Sequence, residues 1–91
     1  MAKDVRLPFG QRVKARRVAL GLTQEELAER TDMHWTYLSG IERGIHNVGL
    51  NRIVALAVAL ETSPEEMLAG IVHERPRRVT ARTGRPRSAK P

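Results

Sequence analysis

Residues 23–44, with the sequence TQEELAERTDMHWTYLSGIERG, predict two short helices joined by a tight turn. Thr23 is followed three residues later by Glu26, and this capping-box spacing predicts a helix that begins directly after Thr23. Leu27 falls on the inward side of that helix. Asp32 is expected to end it, because aspartate accepts turn and left-handed backbone geometry better than most residues.

The second helix of this stretch is predicted to begin near His34 and to end at Gly44, a glycine suited to the residue just past a helix. Leu38 and Ile41 lie three residues apart and face inward. The outward-facing residues nearest its start are Trp35, Thr36 and Ser39. Two helices of about eight to ten residues separated by such a turn fit a helix-turn-helix, whose second helix is shaped to enter a DNA major groove.

Residues 9–68 resemble the Cro/repressor-type (Xre) helix-turn-helix family. The matching segments are GLTQEELAE at 21–29, YLSGIERG at 37–44 and LxxIxxLAxAL at 50–60. Within that family, WTYLSGIERGxxN is similar to the small controller proteins of restriction–modification systems. The resemblance implies an all-α, five-helix, lambda-repressor-like DNA-binding domain with its helix-turn-helix at helices 2 and 3. It also implies a transcriptional regulator whose partner is double-stranded DNA.

Length and composition exclude several classes of protein. Ninety-one residues make one small domain with at most a tail, and the absence of cysteine removes disulfides, thiol nucleophiles and cysteine zinc sites. The three histidines show no metal-ligand spacing, and no glycine-rich loop could cradle a phosphate. We therefore expect neither an enzyme nor a bound cofactor or metal. No signal peptide or membrane-spanning run is evident, which favours a cytoplasmic, nucleoid-associated protein.

The positive charge is concentrated at one end of the chain. Residues 1–72 contain nine basic and nine acidic residues, whereas residues 73–91 contain seven basic residues and only Glu74, so this segment carries the whole net charge of +6. We predict an N-terminal arm over residues 1–7, a helix-turn-helix domain over residues 8–72 and a disordered basic tail over residues 73–91.

Pro8 is placed to start the first helix, which is predicted to run to Leu20. The resemblance implies that Arg17 on this helix pairs with Glu42, the glutamate of the IERG motif. The remaining basic residues of the helix are expected to be solvated: Arg12, Lys14 and Arg16.

The fourth helix is predicted over residues 50–60, with Leu50 in its inward stripe. Its sequence is apolar nearly all round, which indicates burial on more than one side. In so small a chain, a second copy of the protein is the expected partner for the extra face. The predicted dimer interface comprises Ala55, Val58 and Met67. A fifth helix is predicted to begin after Ser63, with Pro64 at its first position.

The family's DNA contacts map onto the second helix of the motif and its flanks. The implied base contacts are Trp35, Thr36 and Ser39. The implied phosphate contacts are Gln24, Tyr37, Arg43, His46 and Asn47. Trp35 could instead fold back over its own domain. At Gly40 some relatives carry a reading side chain, so a contact is missing there or a backbone approaches closely. His34 is expected to start the helix rather than to act as a catalytic base.

The tail contains Arg85, Pro86 and Arg87, which resemble the core of AT-hooks that bind narrow minor grooves. The competing interpretation is a solubilising tail with non-specific attraction to DNA. For the whole chain, the sequence predicts a homodimeric, sequence-specific repressor or controller acting on a pseudo-palindromic operator. The alternative is an antitoxin that binds both operator DNA and a protein toxin.

Overall fold

Five helices follow one another in residues 4–71, the part of the chain that the computed structural model describes, and no strand occurs among them. They are α1 (Arg6–Ala19), α2 (Gln24–Thr31), α3 (Trp35–Glu42), α4 (Leu50–Ala59) and α5 (Pro64–Leu68). The all-α, five-helix prediction is confirmed. The predictions for the tail, with Arg85, Pro86 and Arg87, lie outside the described residues.

The start of α1 was predicted wrongly. The helix begins at Arg6 rather than Pro8, and the backbone N–H of Arg6 donates to Asp4 Oδ1 at 3.0 Å. Pro8 is the third residue of the helix, where a backbone N–H has no intrahelical acceptor, so the missing N–H costs nothing. Arg6 and Leu7 therefore belong to the first helix and not to a separate arm.

The capping box that begins α2 is present in full. The backbone N–H of Glu26 donates to Thr23 Oγ1 at 3.0 Å, and the backbone N–H of Thr23 donates to Glu26 Oε1 at 2.8 Å. The bond from the Thr23 backbone lowers the pKa of Glu26. This carboxylate therefore stabilises the fold above its ordinary pKa, and the contribution is lost as the pH falls through the lowered value.

One continuous core lies between the helices, and α1 packs on α3 and α5 while α2 packs on α3 and α4. Its buried apolar residues are Phe9, Val13, Leu27, Ala28, Met33, Leu38, Ile41, Leu56, Ala57, Leu60 and Met67. Leu50 was predicted to face this core, and that prediction is wrong. It is the first residue of α4 and is 74% exposed. The backbones of α1 and α3 come close together at Gly10, where a Cβ would lie 2.1 Å from the carbonyl oxygen of Ile41. Only glycine permits this approach of α1 to α3.

Two arginines of α1 were predicted to be solvated, but they cap the ends of other helices. Arg12 donates through Nη1 to the carbonyl of Glu66 at 2.7 Å and through Nη2 to that of Ala69 at 2.6 Å. Arg16 donates through Nε to the carbonyl of Leu60 at 2.9 Å. The last carbonyls of a helix lack intrahelical donors, so these guanidinium groups satisfy the C-terminal ends of α4 and α5.

Glu61, just past α4, adopts a left-handed backbone with φ of 59°, a conformation that normally favours glycine. We expect Glu61→Gly to raise the free energy of unfolding by about 0.5–1 kcal/mol, because strain is relieved at some cost in chain entropy. Urea denaturation of both proteins measures the change. Glu29→Gly, inside α2, is the control and should cost about 1 kcal/mol. A loss of stability in Glu61→Gly as large as in the control would contradict this account.

Candidate nucleic-acid interface

The turn between α2 and α3 sets the angle between the two helices. Asp32 adopts the expected left-handed conformation with φ of 55°, and the next backbone N–H, from Met33, donates to the carbonyl of Ala28 at 2.9 Å. The Met33 side chain is buried in the core. His34 then caps α3, since its Nδ1 accepts the backbone N–H of Thr36 at 3.2 Å. The chain thus leaves α2 and enters α3 within three residues, as in a helix-turn-helix.

The outward side of α3 carries the three predicted base-contacting residues. Thr36 is exposed and Ser39 is half-buried. Trp35 is 47% exposed, and its ring centroid lies 6.3 Å from that of His34. The indole is thus partly covered by its own domain, and about half of its surface remains available to a ligand. The inward side of α3 is committed to the core through Leu38 and Ile41.

A buried ion pair joins α1 to the end of α3, as the resemblance implied. Arg17 Nε donates to Glu42 Oε2 at 2.6 Å, and Arg17 Nη2 donates to Glu42 Oε1 at 3.0 Å. The hydrogen bonds that Arg17 donates to Glu42 raise the pKa of Arg17. Gln24, at the start of α2, adds a third donor, because its Nε2 lies 3.0 Å from Glu42 Oε1. One carboxylate therefore connects the first three helices.

An aromatic and cationic cluster lies where α3, the following loop and α4 meet. The rings of Tyr37 and His46 stack with centroids 4.6 Å apart, and Arg52 Cζ lies 4.8 Å from the centre of the Tyr37 ring. A Cβ at Gly40 would lie 2.4 Å from His46 Nε2, so the imidazole occupies the space beside that glycine. The neighbour of Gly40 within the protein is therefore a side chain, that of His46, and not a backbone.

Arg52 was not singled out from the sequence. It lies in the first turn of α4, after Gly49, and the available signal was that its side chain is the one charged group in this helix. The cation–π contact with Tyr37 holds the guanidinium beside α3. Arg43 at the end of α3 and Asn47 in the next loop are both exposed, as phosphate contacts require.

The predicted dimer-interface residues divide into two groups. Met67 is 1% exposed and packs inside the core, so its assignment to a dimer interface is wrong. Ala55 is half-buried, while Val58 is 72% exposed. Val58 continues an exposed apolar stripe along α4 at intervals of four residues. We call Leu50, Val54 and Val58 the α4 stripe.

Across residues 4–71, no helix is long and apolar enough to cross a membrane. In the same part of the chain, no group of three or more histidine, aspartate or glutamate side chains could hold a metal ion.

A capped turn, a short second helix with a free polar side and a buried ion pair behind it define a helix-turn-helix DNA-binding protein. The HTH_3 helix-turn-helix family model matches residues 13–67, and the chain belongs to that family. It is a DNA-binding transcriptional regulator, and its relatives are named as control proteins and regulators rather than enzymes.

Restriction–modification controllers are among the relatives, as the sequence resemblance implied. Control protein C.BamHI of Bacillus amyloliquefaciens is 42% identical over 69 residues, which cover 75% of this chain and 85% of that protein. The crystal structure of the restriction-modification controller protein C.AhdI from Aeromonas hydrophila matches with a TM-score of 0.64 and 46% identity, over 65% of this chain and 89% of that one. The crystal structure of SinR, the master regulator for biofilm formation, in complex with DNA also matches. Its TM-score is 0.63 and its sequence is 33% identical, over 66% of this chain and 97% of that one.

We expect Arg17→Met to cost about 3–5 kcal/mol in the free energy of unfolding, because it leaves the Glu42 carboxylate buried without its main partner. Chemical denaturation of the variant measures the loss. Lys14→Met, on the exposed side of the same helix, is the control and should change stability by less than about 0.5 kcal/mol.

The double variant Arg17→Met/Glu42→Leu should be clearly more stable than Arg17→Met alone, since it removes the unpaired charge. Equal stability of the single and double variants would show that the ion pair is not the source of the loss.

Proposed function

We propose that this regulator binds a specific double-stranded DNA sequence as a homodimer, with two copies of α3 in successive major grooves about 34 Å apart on a pseudo-palindrome. The observation that carries the proposal is the fixed position of α3. Its inner side is locked by the core and by Glu42, while Trp35, Thr36 and Ser39 remain on its outer side. We assign these three side chains to base edges and sugars.

The phosphate contacts in this proposal come from α2, from α3, from the loop after α3 and from α4. Gln24 uses one amide N–H on Glu42 and keeps a second N–H for a phosphate at the start of α2. Arg43 and Asn47 follow α3. Tyr37 and His46 present their stacked rings beside it, and we add Arg52, whose guanidinium is held over the same tyrosine.

Arg43→Ala should weaken binding to all DNA sequences by a similar factor, because a phosphate contact carries no sequence information. It should also lower the slope of log K against log salt by about 0.9 per protomer. Arg52→Ala should behave in the same way, and Lys14→Ala, on the exposed side of α1, is the control. Binding titrations from low to moderate salt, on the best site and on random DNA, measure both effects. A changed sequence preference in Arg43→Ala would contradict the phosphate assignment.

The α4 stripe supports a homodimer. Its three large aliphatic side chains lie at four-residue intervals on one helix, and exposing them to water costs about 25 cal/mol for each Å² of apolar surface. The first 72 residues carry no net charge, so two copies meet without strong mutual repulsion. A two-fold contact uses the same patch on both protomers, which suits a single continuous stripe and the half-buried Ala55 beside it.

Val58→Lys should convert the dimer to a monomer, because it places a charge in the apolar contact. Val18→Lys is the matched control, since Val18 is also a largely exposed helical valine, at 58%, but lies on α1. Sedimentation equilibrium of the three full-length proteins measures the state of each. A dimer in Val58→Lys, or a monomer in the unsubstituted protein, would contradict assembly through this stripe.

The second candidate function, an antitoxin, places a different protein on the α4 stripe. Co-purification of one partner at fixed stoichiometry, lost in Val58→Lys and kept in Val18→Lys, would favour it over the homodimeric controller. In both functions we place the protein in the cytoplasm, on the nucleoid.

A further inference from the structure

The Thr36 hydroxyl is engaged within the protein before any DNA arrives. His34 Nδ1 lies 2.7 Å from Thr36 Oγ1 and 3.2 Å from the backbone nitrogen of Thr36. Both residues are exposed at the start of α3, on the side proposed to read bases. The same imidazole nitrogen therefore contacts the backbone and the side chain of one residue.

The backbone bond decides which atom donates in the side-chain contact. A backbone N–H can only donate, so Nδ1 must carry a lone pair, and the ring proton resides on Nε2. With Nδ1 unprotonated, the short contact to Oγ1 is attractive only when the threonine hydroxyl is the donor. The hydroxyl proton is thus directed at His34, and Oγ1 presents only lone pairs to the solvent.

We propose that His34 is a positioning residue that makes Thr36 a hydrogen-bond acceptor and so restricts the base it selects. A free threonine hydroxyl can donate or accept a hydrogen bond, so it can bond to the edge of any base. An acceptor alone fits an exocyclic amino group, which adenine and cytosine present in the major groove, and not the O6 of guanine or the O4 of thymine. Thr36 therefore selects adenine or cytosine at one position of each half-site. This inference rests on the proposed DNA binding through α3.

The test is selection from a randomised duplex library with the full chain, followed by affinity measurements on single-site variants of the selected DNA. The unsubstituted protein should prefer adenine or cytosine at one position by about five-fold, the effect of one neutral hydrogen bond. Thr36→Val keeps the shape and removes the acceptor, so it should lose the preference at that position alone. Where the selected base is adenine, replacing it in the DNA by a purine without the 6-amino group should weaken binding of the unsubstituted protein about five-fold. The same replacement should leave binding of Thr36→Val unchanged.

Two substitutions of His34 separate hydrogen-bond polarity from helix capping. Glycine caps a helix nearly as well as a polar residue but accepts nothing from Thr36, so His34→Gly should accept all four bases within about two-fold at this position. Asparagine caps through a side-chain oxygen that can accept from both Thr36 donors, so His34→Asn should restore the preference. Circular dichroism of each variant verifies that α3 is retained.

Distinct results overturn the inference and the proposed function. No salt-dependent, sequence-selective binding by the unsubstituted protein would end both. Two outcomes with selective binding would overturn the acceptor role alone. In the first, the position that responds to Thr36→Val prefers guanine or thymine. In the second, no position responds to Thr36→Val. An adenine or cytosine preference that persists in His34→Gly would show that His34 does not set it.

Discussion

The position of α3 depends on the carboxylate of Glu42. This helix has only eight residues and contributes few large side chains to the core, so apolar packing alone leaves its direction weakly fixed. Glu42 accepts two bonds from Arg17 and one from Gln24, which satisfies a buried charge that would otherwise destabilise the fold. Hydrogen bonds of this kind depend on angle as well as distance, whereas apolar contacts tolerate sliding. The end of α3 is thus held in one orientation relative to α1 and α2.

Two glycines allow close approaches to α3. Gly10 lets the backbone of α1 approach the carbonyl of Ile41, and Gly40 makes room on α3 for the His46 imidazole. Side chains at these positions would push α3 away from α1 or displace the loop that follows it. The core and the ion pair use the inward side of α3, while Trp35 and Thr36 lie exposed on its outward side. Exposed positions of this kind accept polar residues at little cost in stability, which is what a base-reading surface needs.

The sequence predicted the features that depend on neighbours along the chain. The capping box at Thr23, the left-handed Asp32 and the His34 cap were found because each is set within three or four residues. The Arg17–Glu42 pair spans 25 positions and was found only through the family resemblance. What could not be predicted depends on where separate helices meet. Arg12 and Arg16 looked like a solvated face, but the ends of α4 and α5 lie within their reach. In the same way, α4 periodicity placed Leu50 inward, yet its side chain is 74% exposed.

The use of arginine inside the domain constrains how it can recognise DNA. Arg6 donates to Asp4 and to the carbonyl of Ile45, while Arg12, Arg16 and Arg17 each donate to acceptors of the protein itself. These four guanidinium groups are held in place by the fold, and two of them, Arg6 and Arg17, donate to a carboxylate. Arg43 and Arg52 flank α3, and nine acidic residues balance the basic ones over residues 1–72. Counterion release comes from the cations that contact phosphates, so in the proposed complex Arg43 and Arg52 supply it within this domain, and base contacts supply the part of the affinity that depends on sequence. A hydroxyl whose proton is already directed at His34, as that of Thr36 is, adds to sequence preference without adding to the attraction for DNA of any sequence.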